Sequence, residues 1–144
     1  MYTGLQHAHS GLAYLVLIAL IVVIFLMLIG SLSGREFTEK DRKIALIAFI
    51  LSHVQLLLGL ILYFVSPVGL SLLQGGGAMS DPAARLTALE HPLINIVAIV
   101  LITIGYSRAK KAQTSRAKFR SIYMLYAVGL VLILSRIPWG AWLG

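Results

Sequence analysis

Read for apolar and polar positions, the chain resolves into four apolar stretches: Leu12 to Leu32, Ile44 to Val65, Leu93 to Tyr106 and Ile122 to Trp142. Crossing a ~30 Å hydrocarbon core takes about 20 helical residues. The first, second and fourth stretches are long enough. The third suffices only with His91, Pro92 and the residues just before them. The pattern predicts an all-α integral membrane protein: one domain over 1–144, folded as an up-down bundle of four spans at about 9–32, 44–65, 90–107 and 121–142. Between the spans, Thr38-Glu39-Lys40-Asp41 predicts the capped start of the second helix. Gly75-Gly76-Gly77 predicts a flexible break. Ser80-Asp81-Pro82 is a helix start with proline at the first helical position, so a short helix from Pro82 to Glu90 is expected on the outer surface. No internal repeat or low-complexity tract interrupts the pattern.

Composition supports the membrane reading. Of 144 residues, 59% are hydrophobic and 12% charged. A soluble domain is about half apolar and about a quarter charged. So small a globule cannot hide the surplus, and lipid must cover it. The absence of cysteine excludes disulfides, thiolate metal sites and iron–sulfur clusters.

The net charge of +7 changes the picture only through its placement. Arg35, Lys40, Arg42 and Lys43 follow the first span, and Arg108, Lys110, Lys111, Arg116, Lys118 and Arg120 follow the third. Arg85 is the one basic residue between spans two and three, and residues 1–11 hold none. These are topology signals rather than a nucleic-acid face. By the positive-inside rule both basic loops are cytoplasmic and both termini lie outside, an arrangement expected in a bacterial inner membrane. The first span has no basic n-region and too long an apolar run for a cleaved signal peptide, so it is expected to stay.

Ionisable groups at membrane depth are costly and ask for an explanation. Here they are His7, His9, His53, His91 and Arg136, with Glu90 at the edge. Counting from the cytoplasmic ends of the spans places His91 ~24 Å up, Arg136 ~22 Å, His9 ~31 Å and His53 ~14 Å. His9 and His91 therefore fall close enough to share one ligand, whereas joining His53 to His91 takes about 10 Å of slippage. Two histidines on facing helices hold a haem iron from both sides, and a helix bundle offers the apolar slot that the macrocycle needs. Arg136 is level with the pair and available to a propionate; Asn95 lies one turn below His91 on the same face. Each has a plainer alternative. His7 and His9 can be interfacial residues, His91 a helix cap ahead of Pro92, Arg136 a snorkelling cation, and His53 a partner in an interhelical hydrogen bond. The stripe Ser52, Gln55, Gly59, Tyr63 reads as helix-packing surface, with Tyr63 also an interface anchor beside Tyr123, Trp139 and Trp142. Phosphate-loop, H-E-x-x-H and G-x-S-x-G motifs are absent, as are the intramembrane acids of a pump or channel.

Two motifs carry a family resemblance. His9-Ser10-Gly11-Leu12-Ala13-Tyr14-Leu15-Val16-Leu17 resembles the histidine-headed helix that opens each four-helix half of haem A synthases. Gln55-Leu56-Leu57-Leu58-Gly59-Leu60 resembles that family's Q-x-x-L-G helix, and Leu89-Glu90-His91-Pro92-Leu93 stands where its second histidine opens the next helix. The likeness covers about residues 5–107, and small bacterial cytochrome b-like membrane proteins are also similar. It implies that His9 and His91 are axial haem ligands. The chain departs from the synthases in having Leu5 where they carry a carboxylate, no cysteine pair in an outer loop, and one half-unit instead of two.

The resulting expectation is a membrane cytochrome that binds haem b and transfers electrons, with His9 and His91 on the iron, Arg136 at a propionate, Asn95 lining the site, and His53 beside the pair or, with a shifted register, itself a ligand. Its partners beyond the bilayer would be a quinone or a respiratory complex, not nucleic acid; assembly as a homo-oligomer stays open. The alternatives are a half-size haem A synthase-like enzyme and a cofactor-free membrane subunit or assembly factor.

Overall fold

A computed structural model describes residues 2–143. Four helices in it are long and apolar enough to span a membrane, and with no strand among the described residues the fold is an all-α membrane bundle. The first is α1 (Tyr2–Leu32) and the second α2 (Glu39–Val65). The connection beyond α2 holds α3 (Leu70–Gln74), a turn in which Gly76 and Gly77 both take positive φ, and a single 3₁₀ turn at Ala78–Ser80. α4 (Pro82–Arg85) passes through a π-helical turn (Leu86–Glu90) into α5 (His91–Lys111). α6 (Ser115–Ser135) and the short α7 (Trp139–Leu143) complete the chain.

Local chemistry sets the boundaries. The Asp41 carboxylate accepts the Thr38 backbone N–H at 2.8 Å, which caps α2 as the sequence leads one to expect. Asp81 accepts from the Ala83 N–H at 3.1 Å ahead of Pro82, starting α4.

Two expectations need correction. The segment 82–90 is not a separate surface helix: Pro82–Lys111 runs as one helical span, with Pro92 accommodated inside it. Proline lacks the N–H for the carbonyl four residues back, and its ring clashes with it. The turn just upstream widens to i→i+5 bonding, His91 N–H reaching Leu86 O, which relieves that clash. The fourth span ends at Ser135, not near Trp142. Pro138 disfavours helical geometry at Ile137, and Arg136 has already left it at φ −129°, ψ 21°.

Around the bundle, α1 packs along α2 and α6, and α5 packs along the same two helices. α1 and α5 thus stand on one diagonal and α2 and α6 on the other. Interhelical surfaces carry small residues that bring backbones close. At Gly129 an added Cβ would meet Ala98 O at 3.1 Å, and at Gly105 it would meet Leu125 Cβ at 2.9 Å. Large apolar side chains point outward instead: Phe25 is 61% and Val131 64% exposed, on faces suited to a lipid surrounding.

The two ends differ. The end with the basic loops is filled by Met27, Phe119, Ile122 and Tyr126, all fully buried. The Tyr126 hydroxyl crosses the bundle to donate to Ala45 O at 2.9 Å. The opposite end, which carries His9 and His91, encloses a cavity lined by both histidines.

Candidate functional site at the histidine end

A cavity of about 240 Å³ lies among α1, α2, α5 and the turn into α7. His9, Gln55, Gly59, His91 and Asn95 all line it, in a wall otherwise mostly aliphatic. His9 enters from α1 and His91 from the first residue of α5, across the diagonal. Their ring centroids are 6.2 Å apart and the rings nearly perpendicular, at 84°.

His91 is held by its surroundings. Its Nδ1 lies 2.9 Å from the Arg136 backbone carbonyl. A carbonyl only accepts, so Nδ1 carries the proton and Nε2 is left with the lone pair. Asn95 Nδ2 is 3.2 Å from the same Nδ1 but donates to the His91 carbonyl at 2.7 Å. The Arg136 carbonyl is available because α6 ends there.

His9 is cradled by α2. Gln55 Nε2 donates to the His9 carbonyl at 2.8 Å, and the missing side chain of Gly59 makes room for the ring: a Cβ there would stand 3.1 Å from His9 Cε1. His9 Nδ1 and Gln55 Oε1 are both buried without a hydrogen-bond partner. Two such orphans in one wall are costly unless something else occupies the cavity.

Tyr63 holds the rim. Its hydroxyl donates at 2.8 Å to Ala88 O, the carbonyl that Pro92 leaves without its i+4 donor. Tyr63 is thus a strut between α2 and the π turn ahead of His91, a role that reading it as an interface anchor missed. Gln55 and Gly59 read as packing surface by spacing and as the Q-x-x-L-G motif by resemblance, and neither reading places them against His9. The signal for Gln55 was its presence at all, an amide inside an apolar span.

The other candidate residues lie apart. The Arg136 guanidinium turns to the rim, 3.5 Å from Glu90, whose carboxylate also accepts from Arg85 at 2.8 Å. His53 is not in the cavity wall. Its Nδ1 donates to Phe49 O at 2.7 Å, its Nε2 is 2.9 Å from Thr103 Oγ1, and its ring stacks on Phe49 at 4.1 Å. With both nitrogens engaged, His53 takes the interhelical hydrogen bond that was its plainer alternative. His7 is exposed.

The cavity wall offers two imidazoles and no carboxylate. Among the described residues no group of three or more His, Cys, Asp or Glu could hold a metal. A porphyrin supplies four nitrogens itself and asks the protein for two.

No protein-family model matches the chain, and no solved structure matches it. Over 110 residues, 76% of its length, it is 27% identical to NADH-quinone oxidoreductase subunit N 1 of Rhizobium meliloti (strain 1021). It spans only about a fifth, 21%, of that protein's length. At this level the likeness is to a stretch of one subunit of an NADH-quinone oxidoreductase.

Proposed function

We propose that the chain is a b-type membrane cytochrome, related in design to a half-unit of the haem A synthases, in which His9 and His91 would hold one haem through its iron. The observation that carries the reading is the histidine pair itself. It spans the diagonal at 6.2 Å, with His91 Nδ1 bonded to a backbone carbonyl so that Nε2 remains to bind. Bound haem supplies one-electron redox chemistry. The protein's part is to orient both imidazoles, keep water from the iron through the aliphatic wall, and set the charge at the rim. Asn95 steadies the His91 backbone. The Arg136–Glu90 contact, long and half-exposed, is weak enough to yield Arg136 to a propionate. In this reading the histidine end faces the outside of a bacterial inner membrane, and electrons pass to a quinone or a respiratory complex.

The test is the optical spectrum of the detergent-purified protein, oxidised and dithionite-reduced. A reduced b-type spectrum is expected. His9→Ala and His91→Ala should each abolish it, and His53→Ala should leave it intact. Retention of the spectrum in both of the first two variants would refute the assignment.

The likeness to an NADH-quinone oxidoreductase subunit favours a second reading, a cofactor-free membrane subunit of a larger complex. That reading requires a protein with no Soret band even when haem is supplied during expression.

A further inference from the structure

The basic end holds a second cavity, of about 300 Å³, between the start of α2 and the turn joining α5 to α6. Phe37, Glu39, Arg42, Tyr106, Lys110 and Lys118 line it. Three of these are cations, but they are not equivalent. Arg42 is committed, because its Nε and Nη2 hold the Glu39 carboxylate and its Nη1 donates to the Tyr106 hydroxyl at 2.8 Å. Glu39 is thereby neutralised.

The two lysines are poised differently. Lys118 Nζ donates one N–H to Ala109 O, in the last turn of α5, at 2.9 Å, and lies 5.9 Å from the Phe37 ring centroid. Lys110 Nζ lies 5.7 Å from the Tyr106 ring centroid. Both amines are held near aromatic faces. Among the described residues neither forms an ion pair, and an ammonium has three donors to place. Two ammonium groups with donors to spare thus border one small cavity where the helices end and phospholipid headgroups begin.

We propose that this cavity binds the phosphate of an anionic phospholipid. Lys110 and Lys118 donate to the phosphate oxygens, and Phe37 meets the apolar part of the lipid. A lipid phosphate is preferred to a free one because the cavity combines the two amines with an aromatic wall at the level where headgroups sit. The site lies at the opposite end of the bundle from the histidines and does not depend on haem.

A ligand that binds only the folded state raises its melting temperature. The experiment follows thermal unfolding of the full chain in detergent, titrated with phosphatidylglycerol or with phosphatidylcholine. Phosphatidylglycerol should stabilise and phosphatidylcholine should not. Lys110→Gln/Lys118→Gln should weaken the apparent affinity about thirtyfold, the contribution of two basic residues at a lipid surface. Lys110→Gln alone, which alters only an exposed amine, should weaken it about fivefold, and Lys118→Arg should retain it. The charge-matched Lys111→Gln/Arg116→Gln variant, whose side chains lie off the cavity, should bind as the parent does. An equal loss in that variant would reduce the effect to general surface charge and overturn the proposal, as would equal stabilisation by both lipids. Inorganic phosphate reproducing the shift without lipid would overturn the lipid assignment in favour of a free-phosphate site.

Discussion

A histidine ring at membrane depth must find a place for two nitrogens, and three histidines here do so in three ways. His53 satisfies both on protein groups, His91 commits Nδ1 to the Arg136 carbonyl, and His9 keeps a buried Nδ1 without a partner. The difference lies in the neighbours, not in the residue type. Gly59 is the neighbour on which His9 depends most. A Cβ at Gly59 presses on His9 Cε1 at 3.1 Å, and a larger side chain must displace the ring. Gly59→Leu should therefore abolish haem uptake while the far-ultraviolet circular dichroism stays helical, since leucine is the better helix former. An unchanged Soret band in Gly59→Leu would show that the His9 ring is not where the cofactor binds.

At the scale of elements, Pro92 and Tyr63 form a matched pair. Proline removes a donor from the helix, and the Tyr63 hydroxyl on the next helix replaces it at Ala88 O. Tyr63→Phe should destabilise by about 1–3 kcal/mol, the cost of stranding a buried carbonyl. Pro92→Ala restores an N–H at the right place, so in that background Tyr63→Phe should cost much less. A double-mutant cycle by thermal unfolding should show coupling on the order of 1 kcal/mol, and additive effects would deny the link. Between α5 and α6, Gly105→Leu has no such remedy. Its Cβ already meets Leu125 Cβ at 2.9 Å and Ser121 O at 3.1 Å, so the helices must separate and the melting temperature fall.

For the whole molecule, the two ends hold cavities of different character, one lined by histidines and amides and the other by cations and aromatic rings, which suits them to different tasks. Orientation then decides which task faces which compartment. The chain lacks cysteine, so single-cysteine variants report topology cleanly. With the basic loops inside, Gly76→Cys should react with a membrane-impermeant thiol reagent added outside intact cells, whereas Lys40→Cys and Arg116→Cys should react only after the membrane is opened. The reverse pattern would invert the bundle and place the histidine cavity on the cytoplasmic side.

Much of this architecture was legible in the order of residues alone. Four apolar runs, the Thr38–Asp41 and Asp81–Pro82 helix starts, and the approach of His9 and His91 along the membrane normal follow from local rules: helix rise, the length of a span, and the cost of an unbonded backbone in lipid. These rules act along one helix at a time. What they leave undetermined is which sides of different helices face each other. The diagonal placement of α1 and α5, the cradle of Gln55 and Gly59 around His9, the strut from Tyr63 to Ala88 and the retreat of His53 into bonds with Phe49 and Thr103 all depend on interhelical rotation and packing. So does the turn of Arg136, whose backbone serves His91 while its side chain meets Glu90. The sequence by itself determined the spans and the depth of their polar groups, because hydrophobic length is a property of each helix. Only the tertiary structure decided which of those groups meet, because contact across a bundle is a property of pairs.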